Sequence, residues 1–141
     1  KNFIFVGPIQ GSQGIKIKSN FENNIYFYPS IKRDELPNLL SGLDVFWMPF
    51  YVDHLTEYMS PIKIFEVLSA GVPIICAKLS ECERIGKGLI SFANSSEEYC
   101  HFIDILVEEN STNSRIERSN QMKSYDWNNR FEEFKRYIEE N

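Results

Sequence analysis

Short apolar segments alternate along the chain with segments in which apolar residues recur at helical spacing, a pattern typical of α/β proteins. The apolar segments predict five strands, at residues 3–6, 25–28, 45–48, 72–76 and 88–92. Several of these segments, such as residues 25–27 and 45–48, are apolar at every position. Strands of a parallel sheet that helices cover have this composition, so we expect strands that are buried on both faces.

Two helices are predicted between the second and fourth strands. Asp34 is the predicted N-cap of a short helix whose leucines repeat at helical spacing and which ends near Gly42. A clearer helix follows the third strand. Ser60 is its predicted N-cap, Pro61 takes the first helical position, where a missing N–H costs little, and Gly71 ends it.

Two more helices are predicted after the fifth strand. Ser95 and Glu98 have the spacing of a capping box ahead of an apolar stripe. A polar stretch at residues 111–120 then leads to a last helix at residues 127–139. The whole pattern predicts a single domain over residues 1–141 with an α/β fold, a doubly wound and mainly parallel Rossmann-like sheet of about five strands. In such folds ligands bind beyond the carboxyl ends of the strands.

Composition narrows the classes of function. The chain has 141 residues, of which 43% are hydrophobic and 25% are charged, as in ordinary globular domains. Its net charge of -5 argues against a nucleic acid or an anionic membrane as the main partner. Three cysteines without a C-x-x-C pair predict neither a disulfide framework nor a zinc site, and two isolated histidines predict no metal cluster. This cysteine usage is typical of the reducing cytoplasm.

The helix predicted after Ser60 carries the charges of its first turns in an unfavourable order. Lys63 lies near the helix N-terminus, where the helix dipole favours an acid, and Glu66 follows three residues later. A bound phosphate would resolve this order, because the unpaired backbone N–H groups and the Lys63 ammonium would both act on it. Glu66 could accept hydrogen bonds from the vicinal hydroxyls of a ribose. Phosphate and ribose together indicate a nucleotide.

A simpler interpretation of Lys63 and Glu66 also stays open. Lys63 and Glu66 also fit a solvated ion pair worth ~0.3 kcal/mol, and spacing alone slightly favours that interpretation.

Gly7, Gly11 and Gly14 could form a phosphate loop of their own. They lack the G-x-G-x-x-G spacing, however, so a strand exit followed by a loop is the better interpretation of this segment.

Several short motifs follow one another in a defined order. They are Gly42-Leu43-Asp44-Val45, Met48-Pro49-Phe50, Leu55-Thr56, Ser60-Pro61-Ile62-Lys63-Ile64-Phe65-Glu66 and Ala70-Gly71-Val72-Pro73-Ile74-Ile75. In this order they resemble the C-terminal domain of the group 1 glycosyltransferases, most of all the branch that makes teichuronic acid and other surface polysaccharides. The resemblance covers residues 3–92 and, more weakly, residues 125–127. The ordered series is more specific than any single motif in it.

The resemblance implies a GT-B architecture, in which the active site lies between two Rossmann-like domains. It also implies sugar transfer from a nucleoside diphosphate with retention of anomeric configuration and with no cofactor or obligatory metal. Lys63 would then be catalytic, because it would stabilise the leaving diphosphate. Glu66 matches the second glutamate of the family's Glu-x7-Glu motif, which binds the donor ribose. Pro61 and Ile62 would border the diphosphate.

The remaining donor-site residues are implied in the same way. They are Gly7, which would face the cleft, Ser30 and Ile31, which would lie against the base, and Thr56, Tyr58 and Ser60 in the loop before the helix. The family's first glutamate, which holds the donor sugar, is missing at its usual position. Tyr58 lies eight residues before Glu66, and Glu57 is adjacent to it. Either residue could take this catalytic role.

The expected partners are the nucleotide sugar and an N-terminal acceptor-binding domain of a longer parent protein. We expect a cytoplasmic parent that the missing domain could bring to the inner face of the membrane, and a fragment that transfers no sugar alone. A non-catalytic GT-B-like module, which binds nucleotide or serves assembly beside another enzyme, is the alternative. The content of the full reading frame distinguishes the two, because only the transferase requires a second Rossmann domain.

Overall fold

A computed structural model of the chain describes residues 1–9, 23–86 and 88–140. The chain divides into two compact units, Lys1–Asn38 and Leu39–Asn141, which are described separately. The suggested glycines of a phosphate loop, Gly11 and Gly14, lie outside the described residues. A single domain over residues 1–141 stays a prediction.

The first unit contains two parallel strands at the predicted positions, β1 (Phe3–Val6) and β2 (Ile25–Tyr28). The prediction that these strands are buried on both faces is wrong, because every residue of the two strands keeps part of its surface exposed. A sheet of two strands gives each strand only one hydrogen-bonded neighbour and little area for packing. The rings of Phe5 and Phe27 nevertheless stack across the pair, with centroids 5.2 Å apart.

A 3₁₀ turn, Arg33–Glu35, follows β2 and continues into α1 (Leu36–Ser41). The prediction of Asp34 as N-cap is wrong, since Asp34 lies inside the turn and the cap residue is Lys32. The carboxylate of Glu35 instead accepts a hydrogen bond from the backbone N–H of Lys32, at 2.8 Å. The cap residue therefore lies two residues before the predicted one, and the carboxylate that closes the turn belongs to Glu35 and not to Asp34.

The second unit contains a parallel sheet with the strand order β3-β4-β5, formed by β3 (Phe46–Met48), β4 (Ile74–Cys76) and β5 (Ile90–Phe92). All three residues of the central strand β4 are buried, as its apolar sequence predicts. The α/β class and the five parallel strands are thus confirmed for the described residues. The strands are divided between a two-stranded and a three-stranded sheet.

The described part of the second unit contains five helices between or after these strands: α2 (Lys63–Ser69), α3 (Ser80–Gly86), α4 (Ser96–Glu108), α5 (Thr112–Met122) and α6 (Trp127–Glu140). The predicted N-cap of α4 is confirmed, because the Ser95 hydroxyl accepts from the backbone N–H of Glu98 at 3.2 Å. The Glu98 carboxylate reaches back to the N–H of Asn94, at 2.6 Å, and thereby closes the cap. No helix in the described ranges is both long and apolar enough to cross a bilayer.

Helix α5 was not predicted, because the polar stretch from which it forms has no apolar stripe. Its N-cap is Ser111, and it packs on α2 through polar contacts. The Arg118 Nε donates to the carbonyl of Gly71 at 2.9 Å, and the Ser119 hydroxyl donates to the carbonyl of Ser69 at 2.7 Å. These side chains satisfy carbonyl groups that α2 leaves without partners at its C-terminus. These polar contacts, together with the buried side chain of Met122, hold α5.

The start of α2 differs from the prediction. The helix begins at Lys63, its N-cap is Ile62, and no side chain caps it, so Ser60 is not the cap residue. The backbone N–H of Ile64 donates to the carbonyl of Pro61, at 3.2 Å, and Phe65 donates in the same way to Ile62. These bonds span three residues, so a tighter turn precedes the α-helix where the prediction placed its first regular turn.

Candidate functional site

Helix α2 leads from the carboxyl end of β3 to the amino end of β4. Because β3 and β4 are parallel, the helix runs back along the sheet and begins at the edge where the strands end. Its residues Ile64, Val67 and Leu68 are fully buried and fix it on the core. This packing places the first turn of α2 at the edge where ligands bind in parallel α/β folds.

Lys63 and Glu66 form an ion pair on the outer side of this first turn. The Lys63 Nζ lies 2.7 Å from the Glu66 Oε2, and 51% of the Lys63 side chain and 29% of the Glu66 side chain are exposed. Exposed pairs of this kind contribute between about 0 and 1 kcal/mol, since water competes for both charges. A phosphate could therefore draw Lys63 away from Glu66 at little energetic expense. The carboxylate would then be open to hydroxyl donors.

The loop between β3 and α2 is held by a network centred on Asp53 and Thr56. The Asp53 Oδ1 accepts from the backbone N–H groups of Leu55, at 2.8 Å, and Thr56, at 2.9 Å. The Thr56 hydroxyl donates to the carbonyl of Tyr51 at 2.6 Å and accepts from the N–H of Asp53 at 2.8 Å. The bond from the Thr56 N–H, and then that from Leu55, lowers the pKa of Asp53 below its ordinary value. The network gives this loop a defined shape although much of it faces solvent.

The predicted donor-site residues of this loop differ in their surroundings. Thr56 is half-buried and uses its hydroxyl within the loop, whereas Glu57, Tyr58 and Ser60 are exposed. Pro61 is buried and anchors the loop where it joins α2. Exposed Ile62 follows, and then the pair of Lys63 and Glu66. The second unit thus brings together, within one loop and one helical turn, all the predicted site residues from 56 to 66.

The other predicted site residues lie in the first unit. Gly7 follows β1 with a φ of 138°, a backbone conformation that favours glycine, and its N–H donates to the carbonyl of Tyr28 at 3.1 Å. Ser30 and Ile31 follow β2 and are exposed. Since β1 and β2 are parallel and Val6 pairs with Tyr28, these residues share the carboxyl end of their sheet.

Two polar residues at the carboxyl edge of the second sheet were not predicted. Asp53 organises the loop. An aspartate followed three residues later by a threonine favours a turn, so the sequence alone could have indicated it. Lys78 follows β4, and its Nζ lies 3.1 Å from the Glu83 Oε1. Lys78 thus adds a second positive charge at this edge, and Glu83 is its partner. Within the described ranges, no cluster of three or more His, Cys, Asp or Glu side chains has an arrangement that could hold a metal ion.

A family model described as "Glycosyl transferases group 1" matches residues 1–109. The chain belongs to this family. The matched region includes both sheets, the Asp53 loop and the pair of Lys63 and Glu66. The resemblance that the ordered motifs indicated is therefore confirmed.

One curated relative supports the same assignment. The chain is 23% identical over 141 residues to TuaH of Bacillus subtilis (strain 168), which is named as a teichuronic acid biosynthesis glycosyltransferase. The match covers 96% of this chain and 35% of TuaH, so the chain spans about a third of the length of that relative. No solved structure matches the chain significantly.

Proposed function

We propose that this group 1 glycosyltransferase chain binds the nucleotide part of a nucleotide-sugar donor, as one half of a retaining GT-B transferase. The pair of Lys63 and Glu66 carries the proposal. A cation and a carboxylate lie side by side at the carboxyl edge of a parallel sheet, in the segment that matches the family. The parent protein would act in the synthesis of a polysaccharide or another glycan, the process for which TuaH is named.

In the proposed complex Lys63 leaves Glu66 and contacts the diphosphate. An ammonium bonded to a phosphate oxygen forms a charge-assisted hydrogen bond, which is stronger than the exposed ion pair that it replaces. During transfer the bond between the sugar and the diphosphate breaks, and negative charge develops on the leaving phosphate. Lys63 would stabilise that charge. The proposal assigns this positive charge to Lys63 and invokes no metal ion.

Glu66 accepts hydrogen bonds from the ribose in this proposal. Its carboxylate has two oxygens and several lone pairs, so it can accept from both hydroxyls of a ribose. Release of Lys63 leaves these lone pairs without their main partner, and the ribose hydroxyls supply the replacement. Glu57, which is exposed in the loop, would lie toward the sugar. Lys63 would thus select for a diphosphate and Glu66 for a ribose.

A second ion pair of the same unit provides a matched control. The Arg84 guanidinium lies 2.8 Å from the Glu81 Oε2, also at a spacing of three residues, and the two side chains are 59% and 30% exposed. Both pairs therefore have nearly the same length, spacing and exposure. They differ in their helix, since Arg84 and Glu81 belong to α3, and in their contacts, since Arg84 donates to both carboxylate oxygens of Glu81.

Calorimetric titration with UDP, GDP and dTDP tests the proposal. We expect at least one of them to bind, and Lys63→Ala to weaken that binding by about 1.5–3 kcal/mol, the value of a hydrogen bond to a charged group. The loss should shrink at high salt, because exposed charges are screened. Arg84→Ala should leave the affinity unchanged. No binding by the wild type, or equal effects of the two variants, would contradict the proposal.

A further inference from the structure

Helix α6 carries large apolar side chains along one side, here called the apolar stripe (Trp127, Phe131, Phe134 and Ile138). These residues follow one another at spacings of four, three and four positions, which place them on one face of a helix. Their side chains are between 58% and 85% exposed, and every residue of α6 is exposed. A helix of this length is only marginally stable alone in water. The apolar stripe therefore needs a surface that covers it.

The charges of α6 are sorted around the apolar stripe. At about 3.6 residues per turn, Arg130 and Lys135 lie on its two flanks. The acids of the helix lie beyond these flanks, toward the opposite side; they are Glu132, Glu133, Glu139 and Glu140. Arg136 also lies on the opposite side, where its Nε donates to the carbonyl of Glu132 at 3.4 Å. A surface that covers the stripe thus meets a positive charge on each edge.

Arg130 has two contacts within the chain. Its Nη1 lies 3.9 Å from the Glu133 Oε2, and its guanidinium lies over the Tyr125 ring, 5.3 Å from the centroid. The ion pair is long and exposed, so water competes for it and an external anion could replace Glu133. Lys135 is exposed on the other flank. Both flanks can therefore reach anions that lie beside the apolar stripe.

A second copy of the chain is a poor partner for the apolar stripe. If two α6 helices packed along their stripes, in either direction, each basic flank would face a flank that has no acid. Arg130 and Lys135 would then lie against positive charge, and like charges destabilise such helix pairs. The core of a protein–protein interface is also depleted of lysine.

The surface of a lipid bilayer fits both the stripe and its flanks. Tryptophan and phenylalanine are typical of the buried face of helices that lie in the bilayer interface. Basic side chains at the edge of such a face lay their stems over apolar surface and reach the lipid phosphates, while acids on the far side stay in water. The net charge of -5 limits long-range attraction of the whole chain to anionic lipids. Burial of the stripe would thus supply most of the affinity, and the basic flanks would add to it.

We propose that α6 lies flat on a bilayer surface, with the apolar stripe among the acyl chains and with Arg130 and Lys135 at the lipid phosphates. The proposal goes beyond nucleotide binding, because it gives this chain a membrane contact of its own. The nucleotide site and the bilayer contact belong to different helices, α2 and α6. Either one can therefore fail in an experiment without the other.

Flotation of the whole chain with lipid vesicles tests the proposal. Vesicles of phosphatidylcholine are compared with vesicles of an equal mixture of phosphatidylcholine and phosphatidylglycerol. We expect the wild type to bind both, and to bind the mixture more tightly. Phe134→Ser should weaken binding to both about tenfold, because one aromatic side chain no longer enters the acyl region. Tyr51→Ser is the control, since Tyr51 is 82% exposed outside α6, and it should bind as the wild type does.

Two adjacent basic residues distinguish the flank from the opposite side of α6. Lys135→Gln should weaken binding to the mixed vesicles about fivefold, the effect of one cation near an anionic lipid surface. Its binding to phosphatidylcholine alone should change much less. Arg136→Gln is the matched control and should have little effect on either, because Arg136 points away from the lipid. Equal losses for the two variants would overturn the proposal.

The fluorescence of Trp127 reports insertion directly. The chain has two tryptophans, so Trp47→Phe leaves Trp127 as the single one. Its emission should shift to shorter wavelength when vesicles are added. The proposal is overturned if this emission stays unchanged, if the wild type binds neither kind of vesicle, or if Tyr51→Ser loses as much affinity as Phe134→Ser. It is also overturned if the chain forms a dimer without lipid and Phe134→Ser abolishes it, which would assign the stripe to a second copy.

Discussion

The carbonyl oxygen of Arg115 lies 2.6 Å from the point that a Cβ atom on Gly71 would occupy. Gly71 ends α2 with a φ of 76°, in the left-handed region, and its own carbonyl accepts from Arg118. The residue thus satisfies two requirements, a helix end that favours glycine and a close approach of α5. The contact between α2 and α5 depends on a position that the sequence identifies only as a helix terminator.

Gly71→Ala should destabilise the protein strongly. The left-handed conformation costs an alanine about 1–2 kcal/mol, and displacement of the α5 backbone adds about 1–3 kcal/mol. Gly88→Ala is the control, because Gly88 also has a positive φ of 88° but nothing lies within 4 Å of its added Cβ. Chemical denaturation of both variants measures the difference. Equal losses of stability would mean that the approach of α5 is not close.

Arg118 should contribute to stability more than the exposed arginines of α6. It is half-buried, donates to Gly71 and also to the Asn110 side chain, and burial lowers its pKa below the ordinary value. We expect Arg118→Ala to lower the free energy of unfolding by about 1.5–3 kcal/mol. Arg136→Ala on the exposed helix α6 should change it by less than about 0.5 kcal/mol. Similar results for both variants would show that the polar contacts do not hold α5.

The sequence predicts the strands well because they depend on local apolar runs. Residues 3–6 and 25–28 form strands over their predicted bounds. The other three strands lie within their predicted segments but are one or two residues shorter. Helix α5 shows what such patterns miss. Its stabilising contacts are made by Arg118 and Ser119 with carbonyl groups about fifty residues away in the chain. No local periodicity records a contact of that kind.

The candidate site was also predicted only in part from the sequence. The spacing of Lys63 and Glu66 and the ordered motifs place the residues on one helix, and the ion pair forms there. The start of α2 was misplaced because serine and proline are strong N-terminal signals, whereas here Pro61 is buried in a tighter turn that precedes the helix. The hydrogen bonds of Thr56 depend on the three-dimensional path of its loop, so residue type alone could not predict them.

The free energy of unfolding should fall at high pH because Tyr99 ionises. Its hydroxyl lies 3.4 Å from the carbonyl of Met48, its ring packs on Trp47, and burial raises its pKa to about 12. An unfolded tyrosine has a pKa of about 10. The raised folded pKa means that Tyr99 contributes its full stabilisation below about pH 10 and loses it as pH rises from about 10 towards 12. Tyr99→Phe should lack this loss in denaturation curves measured across that range, and an identical pH dependence would refute the assignment.

A comparison of ribose and deoxyribose ligands tests most directly the proposal that Glu66 binds the ribose of a nucleotide. UDP with dUDP, and GDP with dGDP, are titrated against the wild type, Glu66→Gln and the control Glu81→Gln. Glutamine keeps the size of the side chain but accepts hydrogen bonds less strongly, so Glu66→Gln should weaken binding of the ribonucleotide by about 1 kcal/mol or more. It should weaken binding of the 2′-deoxy form less, because one hydroxyl is already missing, and Glu81→Gln should change neither. Equal losses of affinity for the ribo and deoxy forms, or an unchanged affinity in Glu66→Gln, would mean that Lys63 and Glu66 form only an ordinary surface ion pair.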